Sequence, residues 1–220
     1  MDGALPDMSC YLFTSKLSFE YDSAVEPLFS DLTVGFPTGW TGVVGANGSG
    51  KSTLLKLLTG GLQPDSGTCN ASGPTVLCEQ EIVNPPPGLE EFFTSFDVYG
   101  CRLRNALALS PEMGKRWATL SMGERKKIQI AIALHAAPDI LCLDEPTNHL
   151  DAAGRDLLQK ELQRFHGIGI IVSHDRELLD ALCTQCLFLQ PGSAGLRSGN
   201  FSAGKAQARI ELQNQIEAAT

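Results

Sequence analysis

Long apolar runs are missing from this sequence. No stretch approaches the roughly 18 consecutive apolar residues of a membrane-spanning helix, so any membrane part of its work is expected to come from another chain. Residues 1–13 lack a basic stretch followed by an apolar one, which excludes the pattern of a secretory leader. Positive charge is scarce: 17 lysines and arginines stand against 25 aspartates and glutamates, a formal net charge of −8. That balance is a poor match for a surface whose main task is gripping nucleic-acid phosphates, although it leaves room for a local basic patch. The seven cysteines are odd in number and irregular in spacing, so no disulfide framework is suggested and reduced thiols in a cytoplasmic protein are expected. Cys183 and Cys186 form a lone CxxC without the second pair that a zinc site needs. No segment repeats.

What is present is an ordinary globular balance, 43% hydrophobic and 19% charged over 220 residues, enough for one substantial domain or two small ones. Residues 10–44 read as strands: Leu12, Phe13, Leu17 and Phe19 form an apolar-rich stretch, and Leu32, Val34 and Phe36 alternate with polar or small residues. After a turn at 37–39, residues 41–44 form a short buried strand. Leucines at helical spacing predict a helix over 52–62, ended by Pro64, Asp65, Ser66 and Gly67. Three prolines at 85–87 and Gly88 break the chain, and 89–96 reads as a helix with Phe92, Phe93 and Phe96 on its apolar face. A strong helix follows at 121–136, with Ser121 and Glu124 at capping-box spacing. Apolar runs at 140–143 and 169–172 have strand length, and helices between such runs imply parallel strands with crossovers. Residues 203–218 are polar and helix-prone, as in a solvated terminal helix.

Two motifs carry chemistry. GANGSGKST at 45–53 fits G-x-x-x-x-G-K-[ST] between a strand and a helix. Gly45, Gly48 and Gly50 free the backbone, so that successive N–H groups can form a nest for anionic oxygens at the positive end of the helix. Lys51 is expected to reach the β- and γ-phosphates, and the Ser52 hydroxyl to serve Mg²⁺, which takes few protein ligands. The second motif, ILCLDEPTNHLD at 140–151, puts Asp144 and Glu145 at the end of a buried strand, where open parallel sheets bind ligands. Asp144 is expected to hold Mg²⁺ through water, and Glu145 to orient or deprotonate the water attacking the γ-phosphate of ATP.

The phosphate loop, LSMGE at 120–124, LDEPTNHLD at 143–151 and IVSHD at 171–175, in that order, resemble the ATP-binding cassette (ABC) ATPases over residues 11 to 202. EPTNHLD, ERKK at 124–127 and SGNFS at 198–202 are similar to the ABC-F subfamily, soluble cassette proteins of which many act on the ribosome. The resemblance implies an α/β fold: a P-loop NTPase core with a mostly parallel sheet, an antiparallel β subdomain near the N-terminus and a small helical signature subdomain at about 81–136. The cassette is expected over 1–202, with 203–220 a C-terminal helix where a linker would begin. The resemblance also implies site roles. Ala46, Asn47, Ser49 and Thr53 join the loop residues above in holding ATP, and Tyr21 stacks on adenine. Gln80, flanked by Glu79 and Glu81, senses Mg²⁺ and the attacking water, so that Ser52, Gln80 and Asp144 serve the metal. His174 bonds the γ-phosphate beside the catalytic Glu145, and Asp151 couples the two sites of a dimer. Ser121, Gly123 and Glu124 complete the site of an opposing cassette.

Three departures from the family stand out. Met122 replaces the usual first glycine of the signature. One cassette is present where the F subgroup usually carries two. Only 93 positions separate Lys51 from Asp144, fewer than in transporter cassettes, which suggests a reduced helical lobe. The leading expectation is an ABC-F-like ATPase that couples dimerisation with a second cassette to a soluble assembly such as the ribosome. The alternatives are the energy subunit of a membrane transporter, with a membrane subunit as partner, and a non-hydrolysing ATP switch. Arg125, Lys126 and Lys127 are read as a solvated helix face, with RNA contact as the alternative.

Overall fold

Alternation builds the first sheet. On β1 (Leu12–Phe19), Leu12, Thr14, Leu17 and Phe19 are buried, while Phe13 turns outward. The step from 14 to 17 keeps one face inward only because the pairing slips there, with Lys16 at φ 48°. β2 (Phe29–Phe36) buries Leu32, Val34 and Phe36 at period two and pairs antiparallel with β1. The structure is a computed structural model and describes residues 10–22, 26–190 and 193–218; the leader expectation for 1–13 falls mostly outside them.

β3 (Gly39–Gly45) leads through the glycine loop into α1 (Lys51–Leu58). That helix ends four residues short of the expected Leu62, because Gly60 turns left-handed at φ 73° and its N–H donates back to the Leu57 carbonyl at 3.2 Å. β4 (Ser66–Ala71) completes a three-stranded antiparallel sheet in the order β2-β1-β4. β5 (Thr75–Cys78) begins the large sheet.

The helical lobe follows, with α2 (Leu89–Thr94) and α3 (Val98–Ala106). Here the expectation of a helix to Phe96 needs correcting. Ser95 turns extended at ψ 139° so that Asp97 can cap α3, its carboxylate accepting from the Gly100 N–H at 2.7 Å. Phe96 is therefore left 93% exposed, off the apolar face that buries Phe92. Two 3₁₀ turns, Pro111–Lys115 and Trp117–Thr119, lead to α4 (Met122–His135).

The remaining elements alternate: β6 (Ile140–Asp144), α5 (Ala152–Leu162), β7 (Ile168–Val172), α6 (Arg176–Leu182), β8 (Cys183–Gln190), β9 (Ser193–Ser198) and α7 (Phe201–Ala218). The six-stranded sheet runs β5-β6-β7-β3-β8-β9, parallel except for the β8–β9 hairpin. Strands buried on both faces read as continuous apolar runs, as in ILCLD and IGIIV. Leu141, Leu143 and Ile171 point to a core shared with α4, α5 and α6, whereas Ile140, Cys142 and Ile170 point to one shared with α1 and the antiparallel sheet. Among the described residues no helix is long and apolar enough to cross a membrane.

Candidate functional site

β3 delivers residues 45–53 to the carboxyl end of the central sheet. Gly50 stands at the N-cap of α1 with φ 92° and no side-chain cap, so the first N–H groups of the helix face the loop. A Cβ on Gly50 would meet Phe29 at 2.7 Å and Leu28 at 2.8 Å. Replacing Gly50 with alanine therefore forces a left-handed backbone, at about 1–2 kcal/mol, and a clash. The expected result is a melting temperature lower by about 2–8 °C together with loss of ATP binding; unchanged melting and titration curves would contradict it. The Lys51 ammonium is held by the Gly45 and Ala46 carbonyls at 3.0 and 2.9 Å.

β6 carries Asp144 and Glu145 to the same edge, one strand beyond β7. Both are nearly buried, at 6% and 5% exposure. Glu145 takes φ 47°, and its N–H donates to the Val172 carbonyl at 2.9 Å. Its Oε2 accepts from the His174 N–H at 3.2 Å, and its Oε1 lies 3.5 Å from His174 Nε2. Burial pushes the Glu145 carboxyl above the usual glutamate range, as does Asp144, while the His174 contacts and Lys51 pull it down.

One cleft of about 630 Å³ gathers these groups. The glycine loop contributes Asn47, Gly48, Gly50, Lys51, Ser52 and Thr53, and across from it stand Gln80, Asp144, Glu145 and His174, with Tyr21 at one side. Tyr21 is 47% exposed, shares a 3.0 Å hydrogen bond with Thr53 Oγ1 and meets Phe19 edge-on. Of the three candidates at 79–81, Gln80 alone lines this cleft; Glu79 pairs with Lys56 at 3.4 Å and Glu81 faces another groove. Gly45, Ala46 and Ser49 support the loop from outside the lining, and Leu28, Asn148 and Val172 join it without having been singled out. Asn148 lies inside EPTNHLD and Val172 inside IVSHD, and those were the available signals; nothing marks Leu28.

The donor set fits a hard cation. Asp144 Oδ1 is buried without a hydrogen-bond partner among the described residues, and Glu145 Oε1 has only the His174 ring 3.5 Å away. Among the described residues no group of three His, Cys, Asp or Glu side chains is placed to hold a metal alone. This suits Mg²⁺, which shares its coordination with phosphate and water.

The signature and Asp151 lie outside the cleft lining. Ser121 caps α4 in a reciprocal capping box: its hydroxyl accepts from the Glu124 N–H at 3.2 Å, and its own N–H donates to the Glu124 carboxylate at 2.8 Å. The hydrogen bond from the Ser121 backbone holds the Glu124 carboxyl below its ordinary range. A Cβ on Gly123 would come within 2.5 Å of the His149 carbonyl oxygen, so this glycine lets α4 rest on the loop behind the carboxylate pair. Asp151 caps α5, accepting from the Gly154 N–H at 2.8 Å.

The reading of 125–127 as a solvated face needs correcting. Arg125 donates to the Ala118 carbonyl and lies over the Trp117 ring, and Lys127 donates to the Leu107 carbonyl at 3.2 Å. Lys126 is 2% exposed, and burial pushes its ammonium below the usual lysine range. The reason is tertiary: the lobe wraps α4, so a helix that is polar along this stretch is engaged from several sides. Cys183 and Cys186 are both buried free thiols at the start of β8.

Comparison with known proteins places this geometry among relatives. The family model described as "ABC transporter" matches residues 30–148. The chain is 33% identical over 193 residues to the energy-dependent translational throttle protein EttA of Escherichia coli K12, covering 80% of this chain and 34% of the relative. It is 33% identical over 201 residues to the ATP-binding protein Uup of Caulobacter vibrioides, covering 88% of this chain and 33% of the relative. The chain thus spans about a third of the length of the curated relatives it matches. A solved structure of the ATP-binding subunit of an ABC transporter shares the fold, with a TM-score of 0.69 at 20% identity over 84% of this chain and 89% of that one.

Proposed function

The chain belongs to the ABC family as an ABC-F-like ATP-binding cassette domain, and from that premise we propose that it binds ATP with Mg²⁺, pairs with a second cassette, hydrolyses the nucleotide and couples closure and reopening of the pair to a large assembly such as the ribosome. The observation that carries the chemistry is the single cleft lined by Lys51, Ser52, Gln80, Asp144, Glu145 and His174. Phosphoryl transfer needs positioning and charge neutralisation more than covalent help, and these side chains supply both. The N–H groups of 45–53 and Lys51 receive the β- and γ-phosphates. Ser52, Asp144 and Gln80 would hold the cation, which would neutralise phosphate charge when bound. Glu145, nearly buried and held by the His174 N–H, orients the attacking water and draws off its proton. His174, whose ring is 64% exposed, turns to the γ-phosphate, and Tyr21 stacks on the adenine.

Pairing is proposed because the signature residues Ser121, Gly123 and Glu124 lie outside the lining of the chain's own cleft. Ser121 and the N-terminus of α4 are exposed, and a helix start of this kind suits an anion presented by a partner. Met122 beside them is 40% exposed. Asp151 lies on the same stretch as the carboxylate pair and is proposed to couple the two sites. The ribosome as partner rests on likeness to the translational throttle protein. A site shared between two cassettes predicts that hydrolysis rises more than linearly with protein concentration. Strictly linear activity across the concentration range would refute pairing, and absence of turnover would leave an ATP-dependent switch.

One observation favours a second reading, the energy subunit of a membrane transporter. A groove of about 830 Å³ on the lobe is lined by Pro85, Pro86, Leu89, Phe93 and the exposed Phe96. Recovery of a membrane subunit with the chain, rather than ribosomes, would decide for it.

A further inference from the structure

Lys126 is a buried cation outside the lining of the nucleotide cleft, near enough to Asp144 and Glu145 for their charges to act on it. It is satisfied by three oxygens, none of them a carboxylate: the main-chain carbonyls of Glu79 at 2.6 Å and Gln80 at 3.0 Å, and Gln129 Oε1 at 3.3 Å. The first two acceptors belong to the segment leaving β5, the segment whose Gln80 side chain lines the cleft. The donor stands on α4, little more than one turn beyond the Ser121 cap. Desolvating an ammonium is costly unless its hydrogen bonds are fully used, and here two of them are spent on consecutive carbonyls of one short loop. A main-chain carbonyl fixed in place restricts the peptide planes on either side of it, and therefore the direction in which the Gln80 side chain leaves the backbone. The same helix rests on the other catalytic loop through Gly123, which lies against the His149 carbonyl. α4 thus touches two of the segments that line the cleft, 79–80 and 144–149.

We propose that Lys126 is a positioning residue: it pins the Gln80 segment to α4, so that Gln80 in one cleft and Ser121 at the face offered to the opposing cassette move as one body. The proposal rests on the reading of Gln80 as the group that meets the cation and the attacking water. An arrangement of this kind ties the occupancy of a chain's own cleft to the signature it presents, through two hydrogen bonds donated by one ammonium.

The test uses the full chain and two variants, Lys126→Met, which keeps the length and removes the donors, and Lys126→Arg, which keeps them. Steady-state hydrolysis, ATP binding and hydrogen exchange at residues 79–82 are measured for each, with Lys126→Gln alongside so that poor folding of the methionine variant does not decide the outcome. Lys126→Met is expected to lower kcat roughly 10- to 100-fold, the scale of a misplaced catalytic group, with ATP affinity within about twofold of the parent. It should also speed exchange at 79–82, and arginine should recover most of both. In a Gln80→Ala background the lysine change should lower kcat by less than about twofold, because contacts acting through one residue are not additive. Parent-level exchange at 79–82, or losses that multiply in the double variant, would overturn the tether. Gln80→Ala with unchanged kcat would refute the role given to Gln80, while faster exchange in Lys126→Met would still support the tether.

Discussion

Glu145→Gln is expected to reduce ATP turnover by about 10²- to 10⁴-fold, the usual contribution of a positioned general base, while ATP binding stays near the parent value. Glutamine keeps the shape of the side chain and an oxygen that can accept from the His174 N–H, now at 3.2 Å, so the local backbone should hold. What it loses is the ability to take a proton from water. Binding should survive because the phosphates are proposed to be met by residues 45–53, with Glu145 set back just after β6. Burial already pushes the Glu145 carboxyl upward, so removing its charge should leave the melting temperature equal or higher. The variant should therefore accumulate with ATP in the closed pair and should co-sediment with ribosomes when ATP is present. Turnover at the parent rate would remove Glu145 from the mechanism. Closed pairs that bring down no ribosomes would leave the ATPase reading intact and remove its proposed partner.

Lys51→Ala should weaken ATP binding roughly 10- to 100-fold, since a hydrogen bond to a charged group contributes about 1.5–3 kcal/mol and each 1.4 kcal/mol is tenfold. The Lys51 ammonium sits on the Gly45 and Ala46 carbonyls at 3.0 and 2.9 Å, at the mouth of the loop and within the lining of the cleft. No other lysine or arginine among the described residues lines that cleft, so no neighbouring cation is at hand to replace it. Titration calorimetry with ATP and Mg²⁺ checks the value. An affinity within twofold of the parent would mean that the polyphosphate lies elsewhere.

Much of this site was legible because its parts are local. A glycine at φ 92° ahead of a helix, an apolar strand ending in two acids, and a serine with glutamate three positions on each specify backbone geometry within a few residues. Sheet order then brought the loop and the acids together as the parallel-strand rule implies, with β7 between β6 and β3. Element ends were less legible. α1 stops at Leu58 because Gly60 takes the left-handed cap, and α2 stops at Thr94 because the next helix takes Asp97 as its cap. Phe96 looked like a core residue by spacing, and that choice of cap moved it to the surface.

Lys126 shows the boundary most sharply. Beside Arg125 and Lys127 it has the appearance of a polar helix face, and periodicity cannot distinguish a lysine in water from one whose burial is offset by two carbonyls 46 and 47 positions away along the chain. The sequence by itself determined the phosphate loop, the acid pair, the capped signature helix and the α/β class, because each follows from short-range sterics, hydrogen bonding or the period of apolar residues. Tertiary structure decided that Leu28 joins the cleft and that Lys126 is buried, and it separated Gln80 from its neighbours Glu79 and Glu81, because those outcomes depend on which distant groups come within reach once the sheet and the lobe have packed.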